Sequence, residues 1–164
     1  MRRPVGRDLQ ERDPVRQGVC GEAISGAAKD IGAYEFQVNT APSITNPPAS
    51  IELENGTASD FDLSGVVFAD TEGDSLTVTL TAVAGTFTAT DANNVTIGGT
   101  GTDTLTLTGT ISDIHAFLDN VAAVQYTGTM ATTVDIKAND GNLDSTSETI
   151  NAAVSSELIL NGVD

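Results

Sequence analysis

The sequence predicts an all-β fold: an antiparallel Greek-key β-sandwich with one short helix near residues 113–120. Three observations predict it. Apolar residues alternate with threonine at a period of two, Leu76, Val78, Leu80 and Ala82 being interleaved with Thr77, Thr79 and Thr81; such a strand has one buried and one wet face. Runs of this kind recur at spacings of roughly ten residues, the cadence of an antiparallel sandwich, with turn-forming stretches ATDANN, GGTGTD and ANDGNLDS between them. A single interval, GTISDIHAFLDNV, places Ile111, Ile114, Leu118 and Val121 at helical spacing instead.

Taken in order, residues 1–30 are rich in Gly, Arg, Asp and Pro without a sustained period and read as irregular. DIGAYEF at 30–36 has the composition of one short strand. Residues 37–49 carry Pro42, Pro47 and Pro48 and read as a linker running into a first edge strand, because proline cannot donate to a central ladder. Residues 50–155 hold the sandwich. Its apolar alternation continues at Phe87 and Ala89, Val95 and Ile97, Leu105 and Leu107, Val124 and Tyr126, Val134 to Ala138, and Ile150 to Val154. Ser112 is the predicted N-cap of the helix, with Asp113 in its first turn. Few aromatic residues are present, so the expected core is Val, Leu, Ile and Ala without a large ligand cavity. Residues 156–164 leave the last strand as a tail or the start of another module.

The net charge of −16 is unevenly placed. Residues 1–36 hold six of the seven Lys and Arg side chains and six acids, whereas residues 37–164 hold 17 acids against Lys137 alone. That shift marks a boundary near residue 37. An acidic region with one base cannot neutralise phosphates, which disfavours nucleic acid and anionic membrane surfaces; divalent cations are its natural counter-ions. Cys20 is the only cysteine, so no internal disulfide forms. No apolar run reaches membrane-spanning length, and MRRPVGRDLQ lacks the apolar core of a signal peptide.

Catalysis finds little support. His115 is the only histidine, Cys20 lies in a different segment, and the Ser and Thr residues sit at strand-face spacing with no Gly-x-Ser-x-Gly turn. Zinc would need clustered Cys and His. The Gly-rich IGGTGTD lacks the lysine and following helix of a phosphate loop. Calcium, which takes six to eight oxygens in an adaptable geometry, is better served. Asp70, Glu72 and Asp74 crowd the turn before a strand, where Gly73 lets the backbone bend. DTEGD is not an EF-hand loop, and solvated turn acids without a metal are the competing reading.

Residues 37–155 resemble the cadherin-like, immunoglobulin-type repeats of large bacterial surface adhesins. VNTAPSIT resembles their linker, SIELENGT their first strand, LSGVVFADTEGDSLTVTL their Asp-x-Asp-Gly-Asp segment, LTLTGTISDIHAFLDNVAAVQYTG a strand–helix–strand passage, and VDIKANDGNLDSTSETI the closing hairpin. The resemblance implies calcium at the linker end, held by Asn39, Asp70, Glu72 and Asp140, with Asp74 as a further ligand or only a turn former. It assigns Glu54 to the opposite end, shared with a next repeat. Glu72 stands where Asp is usual, and Thr40 where the linker often has Asp. KDIGAYEF at 29–36 resembles the end of the choice-of-anchor Q domain of bacterial surface proteins, which implies that residues 1–36 are the remnant of a β-helical domain.

Together these readings imply a non-catalytic, calcium-binding module of an extracellular or cell-surface bacterial protein, a rigid spacer or adhesion repeat. Its expected partners are calcium and neighbouring repeats, with glycan or a cell-surface protein possible, no nucleic acid and no membrane span. The alternative is a metal-independent β-sandwich that binds glycan or protein; Phe87, Phe117 and Tyr126 are its few aromatic candidates, and the first and last of these fall on core positions.

Overall fold

The computed structural model describes residues 38–155. The expected remnant at 1–36, its strand at 30–36 and the tail at 156–164 lie outside the described residues. Eleven strands and one helix follow in order: β1 (Ser43–Thr45), β2 (Ser50–Glu54), β3 (Ser59–Asp60), β4 (Val67–Ala69), β5 (Leu76–Ala82), β6 (Thr86–Ala89), β7 (Thr96–Gly98), β8 (Thr104–Gly109), α1 (Ile111–Leu118), β9 (Val124–Thr127), β10 (Thr132–Asn139) and β11 (Glu148–Ser155). The fold is an all-β sandwich. A six-stranded sheet runs β2-β11-β10-β5-β8-β7, and the other strands form the pair β1-β4 and the triplet β3-β9-β6.

The alternation that predicted the strands also builds the core. Leu76, Val78, Leu80 and Ala82 of β5 point inward beside Val134, Ile136 and Ala138 of β10 and Leu105 and Leu107 of β8. Opposite them, Phe61, Phe68, Phe87, Val124 and Tyr126 close one continuous apolar cluster. Each fully buried Leu, Ile, Val or Phe contributes about 1.5–3 kcal/mol relative to exposure. On the outer face, Thr77, Thr79 and Thr81 of β5 lie directly across from Thr108, Thr106 and Thr104 of β8. The hydroxyls of Thr77 and Thr108 are 3.2 Å apart, a polar cross-strand pair that keeps this face wet.

Three local expectations need correction. The helix spans Ile111–Leu118, and its N-cap is Thr110, not Ser112: Thr110 Oγ1 accepts the Asp113 N–H at 3.2 Å and donates to Asp113 Oδ2 at 2.7 Å. The reciprocal pairing at an offset of three resembles a capping box, with the Asp113 carboxylate returning to the Thr110 hydroxyl and not to its backbone N–H, and it outcompetes the serine two residues on. Val121 falls beyond the helix and is exposed, whereas Ile114, Phe117 and Leu118 are buried. Finally, the large sheet is not wholly antiparallel. β2 pairs parallel with β11, from Ser50 opposite Asn151 to Glu54 opposite Ser155, because the first long strand crosses the sandwich to cover the edge of the last.

Aromatic residues matter more than their number suggests. Phe61, Phe87 and Tyr126 pack with ring centroids 5.3–6.1 Å apart, and the Tyr126 hydroxyl donates to the Ala84 carbonyl. Gly85 makes room for it: its φ is +86°, and a Cβ there would stand 2.2 Å from the Tyr126 oxygen. IGGTGTD, read above as no phosphate loop, joins β7 to β8 and docks on β6 through Phe87 N–H to Thr102 O (2.7 Å) and Gly101 N–H to Phe87 O (2.7 Å). Among the described residues, no helix is long and apolar enough to cross a membrane.

Candidate functional site

The acids singled out by the sequence, Glu54 excepted, lie at the end where the described chain enters the sandwich. β4 ends at Ala69, paired with Ser43 of β1, so Asp70 begins a turn beside the linker. Asp70 Oδ1 accepts two backbone N–H groups of that turn, Gly73 at 2.8 Å and Asp74 at 3.1 Å. Gly73 has φ +76°, a left-handed conformation for which glycine is suited. The second oxygen, Asp70 Oδ2, is buried and has no hydrogen-bond partner. A buried carboxylate oxygen without a donor is costly, and a cation or a trapped water would satisfy it.

Two consecutive linker residues tie down the neighbouring acids. Thr40 donates to Glu72 Oε2 through its backbone N–H (3.2 Å) and its hydroxyl (2.7 Å). Asn39 Nδ2 donates to Asp140 Oδ2 at 2.9 Å. Asp140 follows β10 and is 7% exposed. Its other oxygen accepts the N–H groups of Asn142 and Leu143, both at 2.7 Å. These bonds, led by the one from Leu143, hold the Asp140 carboxyl below its ordinary pKa despite burial, which acts the other way. Close by, Lys137 Nζ lies 2.5 Å from Asp144 Oδ2, and that hydrogen bond is the main cause of a lowered Asp144 pKa.

The linker thus brings Asn39 to Asp140 and Thr40 to Glu72, while Asp74 contributes its backbone N–H to Asp70. Glu54 lies elsewhere, at the far end of β2 beside Ser155, where the described chain leaves the sheet. The acids do not form a ready-made cage: among the described residues, no three His, Cys, Asp or Glu side chains stand close enough to hold a metal ion. Asp70 Oδ1, Glu72 Oε2 and both oxygens of Asp140 accept protein donors instead. The orphan oxygen of Asp70 is where a cation would meet an unpaired acceptor.

Sequence reading passed over three features. Thr40, noted only as a missing charge, is the double donor to Glu72. His115, noted above only as the lone histidine, accepts the Phe68 N–H at Nε2 (3.0 Å) and stacks on the Phe68 ring at 6.0 Å, fastening α1 to β4. A groove of about 450 Å³ opens between β6, the loop after it, the end of α1 and β9, where no large cavity was expected. A signal for the first lay in the linker itself, since a Thr one residue from Asn39 offers two donors at once. The other two depend on contacts between segments far apart in sequence.

No family model matches the chain, and no curated protein matches it. Among solved structures, it is similar to a crystal structure of Drosophila N-cadherin EC1-3, at 16% sequence identity and a TM-score of 0.37. The similarity covers 71% of this chain and 34% of that one, so the chain spans about a third of that structure's length.

Proposed function

We propose that residues 38–155 are a non-catalytic, calcium-binding spacer module of an extracellular bacterial surface protein. The observation that carries the reading is the buried, donorless Asp70 Oδ2, set in a turn beside a linker whose next two contacts, from Asn39 and Thr40, are to the acids Asp140 and Glu72. Asp70 would anchor the ion, and Glu72 and Asp140 would have to leave Thr40 and Asn39 and close on it, since no three acids among the described residues stand within reach of one ion; the Asn39 side-chain carbonyl becomes available if its amide turns over. Asp74 is a further carboxylate on the same turn, and Glu54 would serve the opposite end. Calcium would supply charge neutralisation and cross-linking. The chain's own residues already supply direction, since Asn39 and Thr40 fix the linker to the sandwich.

Such a module has no need of a nucleophile or a general base, and the histidine that might have served as one is engaged with a backbone amide. Extracellular calcium modules bind at about 10⁻⁴–10⁻³ M, matched to surroundings of steady calcium. The test is calorimetric titration of the calcium-stripped chain with calcium, with magnesium in parallel. Saturable binding in that range, selective for calcium and lost in Asp70→Ala, is the expected result. No heat at calcium concentrations of about 10 mM, well above that range, would remove the metal from the account.

A further inference from the structure

We propose that the groove beside α1 is a binding site for a neutral oligosaccharide, separate from the cation site, with which it shares no residue. The groove holds about 450 Å³, within the roughly 300–1,000 Å³ of small-ligand sites. Its chemistry narrows the ligand by elimination. No Lys, Arg or His lines it, and Lys137, the one Lys or Arg of the described residues, is engaged by Asp144, so an anion would find no cationic partner and one carboxylate, Asp91. A cation would find a single carboxylate, Asp91, one oxygen of which already accepts the Ile97 N–H at 2.8 Å. A purely apolar ligand would bury hydroxyls and amides without partners. What remains is a neutral ligand with many hydroxyls and apolar C–H faces.

The lining is arranged for such a ligand. Three carboxamides face the groove, and each is anchored through one atom. Asn93 Nδ2 donates to the Ala116 carbonyl (3.0 Å), Gln125 Nε2 donates to Asp60 Oδ1 (3.1 Å), and Asn120 Oδ1 accepts the Ala122 N–H (3.2 Å). Asn93 Oδ1, Gln125 Oε1 and Asn120 Nδ2 have no protein partner among the described residues, which leaves two acceptors and one donor for a ligand. Ala89, Ala92, Phe117, Ala122 and Ala123 supply the apolar part of the lining. The wall is stiff as well. Asn93 and Asn94 take left-handed φ values of 53° and 59° in a turn closed by Val95 N–H to Ala92 O (2.9 Å). Thr100 Oγ1 accepts the Ala89 N–H at 3.3 Å. A preformed wall lowers the ordering cost of binding.

The experiment is a titration of the full chain, in EDTA so that the cation site plays no part. It is followed by ¹H–¹⁵N correlation spectra with three neutral oligosaccharides in turn: a cello-, a manno- and a galacto-oligosaccharide. An oligogalacturonate and an unstructured, uncharged peptide serve as comparisons. At least one neutral sugar is expected to give saturable shifts confined to the amides of residues 88–93, 100 and 120–125. Ala122→Trp, at an exposed position that a large ring would fill, is expected to abolish them. Gln125→Leu is expected to weaken binding about fivefold, the value of one hydrogen bond. No localised shift with any neutral sugar, unchanged binding by Ala122→Trp, or stronger binding of the anionic sugar or the peptide would each overturn the proposal.

Discussion

Asp70→Asn tests the cation site with two opposite expectations. Asparagine keeps a side-chain oxygen for the Gly73 and Asp74 N–H groups, but weakens two charge-assisted bonds by about 1 kcal/mol each. It also replaces the donorless Oδ2 with a neutral amide group that is buried without an acceptor, and an unpaired neutral group costs less than an unpaired charged one. The gain offsets part of the loss, so in EDTA the variant is expected within about 2 kcal/mol of the parent. In calcium the two separate. With a Kd of about 10⁻³–10⁻⁴ M and calcium at about 10 mM, the parent gains about 1.4–2.7 kcal/mol. For a domain of this size that is a rise in melting midpoint of about 5–10 °C. Asp70→Asn should show little of it. The assay is circular-dichroism melting of both chains in EDTA and in calcium. Equal calcium shifts for the two chains would refute Asp70 as the centre of the site. A loss above about 3 kcal/mol in EDTA would refute the reasoning about its orphan oxygen.

Other consequences concern the scaffold. His115→Ala leaves the Phe68 N–H without its acceptor and removes the ring stacked on Phe68; a loss of about 1–3 kcal/mol is expected in urea unfolding. Gly85→Ala forces a Cβ against the Tyr126 hydroxyl at a positive φ and is expected to cost at least about 2 kcal/mol, part of which Tyr126→Phe in the same chain should restore. Asp140, held below its ordinary pKa of 3.8 chiefly by the Leu143 N–H, binds fewer protons when folded than when unfolded. Its contribution is therefore complete above 3.8 and disappears as the pH falls through the lower, folded value. Carboxyl-carbon NMR titration is expected to place the Asp140 midpoint below those of exposed aspartates, and Asn39→Ala should raise it.

Legibility in the sequence followed the range of the interaction. β5 was readable because Leu76 to Ala82 states its own period, and a strand with one wet face needs nothing distant to declare itself. The crowding of Asp70, Glu72 and Asp74 was readable for the same reason. The N-cap was misplaced by two residues because Ser112 and Thr110 are both good caps; Asp113, three residues after Thr110, decides between them by bonding back. The parallel partner of β2 was not readable: the alternation in SIELE fixes which face is buried, not which strand lies alongside. The groove was hidden more deeply. Its walls come from β6, the loop after it, the β7–β8 turn, the end of α1 and β9, and none of those segments carries a pattern that anticipates the others.

The parallel pairing of β2 with β11 also has a mechanical meaning. The chain enters near Asp140, beside the start of β11, and the described part leaves at Ser155, the end of β11. Tension applied between those points pulls β11 along its own axis, past β2 on one side and β10 on the other. The five residue pairs joining β2 to β11 and the five joining β11 to β10 are then loaded together in shear, not peeled one at a time from an end. Rupture under force is governed by the rate of crossing that barrier and not by equilibrium stability. Resistance to such a pull would therefore depend less on how stable this sandwich is than on how its first long strand lies against its last.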